Sequence, residues 1–187
     1  MNARALQQNA EPVLDRVKFE QAILYFLEHA ANEHLAKTKL VKLLYHADFD
    51  HFEQYDAPIT GAYYRKYEHG PFPEDAWETL ERMEADHRIA FKQDDVYMRH
   101  ERMEDCDESV FSETEIAVLR RVAAEMLPYT AKQMSDATHE EAPWRAVKFK
   151  EHIPYYLAYY RNKFGEMELD EDELILEDEE EARAALG

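Results

Sequence analysis

The chain is poor in several things on which small-protein chemistry often relies. Among its 187 residues there is one cysteine, Cys106, so no internal disulfide can form and a reducing compartment is the expected setting. It has only four glycines and no Gly-rich phosphate loop. No apolar run is long enough to span a bilayer, and the opening MNARALQQNAEP lacks the apolar segment of a signal peptide, so a cytoplasmic protein is expected. Cations are scarce as well: 22 Lys and Arg stand against 41 Asp and Glu, a net charge of -19. Such a balance repels nucleic-acid phosphates and acidic membrane surfaces, which disfavours direct binding to either and makes a basic protein the better-matched partner. No separate helix-turn-helix segment is present in the pattern. Hydrophobic residues, in contrast, make up 45% of the chain, enough for one domain with a sizeable core.

That core is organised around the stretch Ala36–Pro73. From Lys39 onward, Leu40, Leu43, Leu44 and Ala47 fall at helical spacing, and Val41, Tyr45, Asp48 and Phe52 make a second stripe one step round. A helix apolar on more than one side belongs inside a domain. Asp56-Ala57-Pro58 ends it, because the residue before a proline is pushed out of the helical region. The aromatic run Ala62–Tyr67 then suits a pleated strand, and Gly70-Pro71 with Pro73 is expected to stop it.

The remaining elements follow in order. A polar arm, 1–16, precedes a helix from Val17 whose face is Phe19, Ala22, Ile23, Phe26, Leu27 and Ala30. Pro73 is placed as a first helical residue ahead of the apolar face Ala76, Trp77, Leu80 and Met83. Arg88–Phe91 and Val96–Met98 read as a hairpin that joins the Tyr-rich run in one small sheet. Ser112-Glu113-Thr114-Glu115 is a capping box flanked by a Phe111/Ile116 staple, and Thr130-Ala131-Lys132-Gln133 is a second box. Pro143-Trp144 should start a short helix, and Tyr155–Tyr160 an aromatic one whose stripe is core. The expected fold class is therefore α+β, mainly α: a helical domain over 17–165 around a central buried helix, with a small antiparallel sheet. Residues 166–187 form an acidic tail, eleven carboxylates against Arg183 alone.

The ordered combination KLVKLLYHADF, PITG, a Tyr-rich strand and HGPFP, followed by MSDATHEEAPW, resembles the Panacea domain, also called the SocA-like antitoxin domain. The resemblance spans about Lys18 to Trp144. The family pattern often has Trp where this chain has Tyr67. The resemblance implies a mainly helical antitoxin, a protein that neutralises a toxin encoded beside it by binding it; some members deliver the toxin to a protease.

The residues that carry the resemblance have two readings. Tyr45, Asp48, Tyr64, Tyr67, His139 and Trp144 either pack in the core with satisfied polar tips or line one cleft between the central helix and the sheet. On the second reading they are candidate partner-binding residues. Leu174, Ile175 and Leu176 join them, since three apolar side chains in an acidic field either ride on a solvated tail or dock into a basic groove. His46, Asp48, Asp50 and His51 look like a metal cluster because His46 and Asp50 lie one helical turn apart. Further ligands, such as His69 or His139, would have to converge on them, and helix-surface or structural roles are the expectation. The acidic neighbours of Cys106 disfavour its thiolate as a nucleophile. The expected protein is a non-catalytic antitoxin with no metal or cofactor and a protein toxin as partner. A small metal-dependent enzyme using the His and Asp residues of the central helix, or a phage-encoded inhibitor or adaptor, remains open as an alternative.

Overall fold

The computed structural model describes residues 12–30, 35–93 and 98–161. Helix α1 (Arg16–His29) starts at Asp15, whose carboxylate accepts from the Lys18 amide at 3.0 Å. Its buried face holds the expected Phe19, Ala22, Ile23, Phe26 and Leu27 and extends to Leu24 and Tyr25. The reason lies on its polar side. Glu20 is bound by Arg82 and Arg88, while Gln21 and Glu28 hold the loop at Cys106 and Asp107, so chain covers this helix on nearly every side.

Helix α2 (Lys37–Tyr55) is the centre of the domain: twelve of its 19 residues are buried, charged ones included. It ends at Asp56 in the left-handed region (φ 61), two residues before Pro58. Strands β1 (Tyr64–Tyr67) and β2 (Gly70–Pro73) form an antiparallel hairpin with Tyr64 opposite Pro73 and Tyr67 opposite Gly70. This corrects the expectation that Gly70 to Pro73 only ends a strand. Proline is tolerated on a two-stranded edge where its missing N–H is not called on, so GPFP is itself the second strand. Helix α3 (Ala76–Ala85) accordingly begins three residues after Pro73, and its buried residues are Ala76, Thr79, Leu80 and Met83. Trp77 is 43% exposed rather than core.

Strands β3 (Ile89–Gln93) and β4 (Met98–Arg102) make a second hairpin. It does not join β1 and β2, so the expected single sheet is two separate two-stranded sheets. Helix α4 (Glu113–Met126) and helix α5 (Ala131–His139) both start at the expected capping boxes, with Ser112 and Glu115 in one and Thr130 and Gln133 in the other. Helix α6 (Ala142–Arg145) has Pro143 in its first turn.

The closing Tyr155–Tyr160 segment is a 3-10 helix rather than an α-helix. Its buried residues Tyr155 and Ala158, followed by buried Arg161, repeat every three positions, which is the 3-10 period. Tyr156 and Tyr160 stay 44% and 50% exposed. The fold is thus mainly α within an α+β class, built on a central buried helix. Among the described residues no helix is long and apolar enough to cross a membrane.

Candidate functional site

Two polar clusters and one groove contain most of the described residues singled out by the sequence. The first cluster surrounds Asp48, which is fully buried on α2. Its Oδ1 accepts from the Thr60 amide at 2.6 Å; its Oδ2 accepts from Thr60 Oγ1 at 2.5 Å and from the Tyr64 hydroxyl at 2.9 Å. Tyr155 donates to the Ala62 carbonyl at 2.6 Å with its oxygen 3.3 Å from the same carboxylate. Burial pushes the Asp48 carboxyl above the usual range, against the pull of the donors on Thr60, Tyr64 and Tyr155. Burial also raises the phenols of Tyr64 and Tyr155 well above their ordinary value. This cluster ties the turn after α2 and strand β1 to the last 3-10 segment. Gly61 sits in that turn at φ 69, where a Cβ would lie 2.6 Å from the Val13 carbonyl oxygen, so the position requires glycine.

The second cluster surrounds Arg161. Its guanidinium bonds Asp50, His46 Nδ1 at 2.8 Å and Glu141 Oε1 at 2.9 Å. Tyr45 donates to Glu141 Oε2 at 2.7 Å, and Arg121 reaches Asp50 at 2.9 Å. Burial, reinforced by the Arg161 charge, lowers the His46 pKa to about 3. The imidazole is therefore neutral, and since Nδ1 accepts from Arg161 its hydrogen is on Nε2. The side-chain pattern that suggested a metal cluster is thus organised around a guanidinium. Among the described residues no group of three His, Cys, Asp or Glu side chains could hold a metal ion. Cys106 is half-buried, and burial together with Glu108, Glu28 and Asp107 pushes its thiol up to about 12.

The groove lies where the β1–β2 hairpin meets the first half of α2. It encloses about 300 Å³ and is lined by Val41 and Lys42 of α2, Tyr67, His69 and Phe72 of the hairpin, Trp77 of α3 and Phe149, among others. Phe72 packs on Trp77 with ring centroids 5.0 Å apart and on Tyr67 at 5.8 Å, and Tyr67 meets Phe149 at 6.0 Å. Phe149 is 59% exposed, so the groove opens to solvent beside it. Lys42 lies at the base, 1% exposed, and donates to the His69 carbonyl. Burial lowers its pKa to about 8.

The hairpin tip is held from three sides. Besides Lys42, Ser135 donates to the His69 carbonyl at 2.7 Å and Trp144 Nε1 to the Tyr67 carbonyl at 3.2 Å. Gly70 has φ 112, a region nearly restricted to glycine, and its Cα faces Lys42 Nζ and Thr138 Oγ1. His139 stacks on Trp144 at 4.1 Å, and its Nε2 is buried without a hydrogen-bond partner among the described residues.

The six candidate residues of the described chain therefore do not form one cleft. Tyr45, Asp48 and Tyr64 are fully buried and face the two polar clusters. Tyr67 lines the groove, while His139 and Trp144 buttress it from behind. Leu174, Ile175 and Leu176 lie outside the described residues. Sequence reasoning missed Lys42, Phe72, Trp77 and Phe149 as groove residues and Arg161 as the hub of a cluster. A cue did exist for Lys42: a lysine inside a helix that is apolar all round has to find a polar outlet.

These features define a mainly α, α+β domain whose motif residues are divided between two buried polar clusters and one docked hairpin. The model of the family described as antitoxin SocA-like, Panacea domain, matches residues 40–145, more than half of the chain, and the chain belongs to that family. No curated protein and no solved structure matches it.

Proposed function

We propose that the protein is an antitoxin that neutralises a cognate protein toxin by direct binding, without catalysing a reaction, and that the groove between the β1–β2 hairpin and α2 is the contact. The observation that carries this reading is the family match, which includes Lys42, Tyr67, Phe72 and Trp77 of the groove. Rigid aromatic side chains already packed on one another bury much apolar area at little entropic cost, which is how binding hot spots are built. Trp77 and Phe149 are large, exposed and adjacent to a preformed cavity. The net charge of -19 would speed encounter with a toxin that is basic overall. The cytoplasm is the compartment in which such a pair would meet.

The test is co-expression with the product of the adjacent reading frame. Growth should be restored, and the two chains should co-purify without added metal. Continued toxicity, or rescue without a complex, would overturn the reading.

A further inference from the structure

His139 closes α5 directly behind the hairpin tip. Its ring stacks on Trp144 with centroids 4.1 Å apart and planes 22° from parallel, and that indole donates to the Tyr67 carbonyl at 3.2 Å. Earlier on the same helix Ser135 donates to the His69 carbonyl at 2.7 Å. Thr138, whose hydroxyl donates to the Ser135 carbonyl at 2.9 Å, lies against Gly70. The end of α5 and the start of α6 thus fasten the turn between β1 and β2 at two carbonyls.

The imidazole fits this place only in its neutral form. A neutral ring can keep its one hydrogen on Nδ1 and leave Nε2 bare, whereas an imidazolium puts an N–H on both nitrogens. Nε2 is buried, and no acceptor among the described residues meets it. The charges that act on the ring are Lys42 of α2, Lys66 and His69 of the hairpin and Asp136 of α5, and from α6 it meets the uncharged Trp144. Asp136 alone would favour the cation, and Lys132 already binds it at 2.7 Å. Two other features that welcome a positive ring are taken as well. The Ala137 and Thr138 carbonyls at the end of α5 accept from the Glu140 and Glu141 amides, and the Lys66 ammonium lies 4.0 Å from the centre of the Trp144 ring. Burial, with the Lys42 charge next, holds the His139 pKa below the usual imidazole value, in agreement with the geometry.

We propose that His139 is a proton-sensitive latch on the β1–β2 hairpin: the neutral ring lets α5 and Trp144 hold the tip at the Tyr67 and His69 carbonyls, and protonation releases the tip together with the groove wall made by Tyr67 and Phe72. The sign follows from linkage. The docked tip has its full stability above about pH 6.5, where a free imidazole is neutral, and loses it as the pH falls. Binding in the groove would weaken in acid for the same reason. The inference concerns the isolated chain and stands whether or not the groove meets a toxin.

Native-state hydrogen exchange of the full-length protein at pH 7 and pH 5, corrected for the intrinsic rate at each pH, tests it. Protection of the hairpin amides should fall several-fold at pH 5 while that of α4 changes less, and the His139 ring should titrate over the same range by NMR. In H139F, which keeps a stacking ring and takes up no proton, the fall should disappear. H139Q serves as the second non-titrating variant if the phenyl ring disturbs the fold. Hairpin protection that stays the same between pH 7 and pH 5 would overturn the proposal. So would an equal fall in both variants, which would pass the effect to His69, or a loss of α4 protection in step with the hairpin, which would make it global unfolding.

Discussion

The polar clusters under the 3-10 segment and the groove beside the hairpin both use the same central helix, yet they are built to opposite ends. Around Asp48 and Arg161 most polar side chains have partners, and the carboxylates, phenols and guanidinium come from segments as far apart as residues 45 and 161. Around Lys42 a charge is buried against a carbonyl, and large aromatic rings are left open to solvent. The first arrangement closes the domain. The second leaves apolar contact area open to solvent, and the proposed binding role rests on it. Motif residues of one family are thus divided between holding the domain shut and shaping a surface, and position in the motif does not tell which is which.

The largest effect is expected where the closed region is broken. Asp48→Ala removes the acceptor shared by the Thr60 amide and hydroxyl and the Tyr64 hydroxyl, and should cost ~3 kcal/mol in denaturant unfolding. A loss below about 1 kcal/mol would mean that the cluster is not what holds the turn after α2 to the 3-10 segment.

Acid should weaken the same region in a defined window. His46 is neutral in the fold, with a pKa of about 3, whereas an unfolded imidazole takes up a proton near 6.5. Its contribution is therefore complete above pH 6.5 and is lost as the pH falls toward 3. Lowering the pH from 7 to 5 should cost about 2 kcal/mol through this group. His100, held at about 4 chiefly by burial, acts in the same direction. Asp48 acts in the opposite one, since a raised carboxyl pKa favours the fold as the pH falls. The quantity to read is thus the difference in slope between the parent and His46→Gln, each measured by urea unfolding at pH 7 and 5.

A smaller effect sharpens the contrast from the groove side. Lys42→Met keeps the length of the side chain and removes a buried charge, while the His69 carbonyl keeps its bond from Ser135. Stability at pH 7 should change by less than ~1 kcal/mol. The depressed Lys42 pKa adds a sign: its burial penalty is present below about pH 8 and disappears as the pH rises toward 10.5, so the parent should gain stability relative to the variant at alkaline pH. A strongly destabilised variant would make Lys42 a structural clamp on the hairpin.

What the sequence disclosed follows from how local each signal is. The boxes at Ser112 and Thr130, the stop before Pro58 and the apolar stripes of α1 and α2 are written within a few residues, and the structure bears them out. Strand β2 was hidden because GPFP carries two prolines and a glycine, the composition of a stop, and only its partner β1 makes it a strand. Trp77 falls on the helical spacing of a core face, but it meets Phe72 of the hairpin and the Lys37 ammonium at the rim of the groove and stays 43% exposed. Arg161 follows an aromatic run and bonds residues 20, 111 and 115 positions away, a convergence that no local pattern encodes.

If the open groove binds the partner and the closed clusters only support it, truncating the open rings should weaken binding and leave the fold intact. The most direct measurement is calorimetric titration of the cognate toxin into the full-length W77A/F149A variant. The melting temperature should stay unchanged and the affinity should fall by at least about 30-fold, the loss of one hot spot of about 2 kcal/mol. Binding at parental affinity by this folded variant would contradict it.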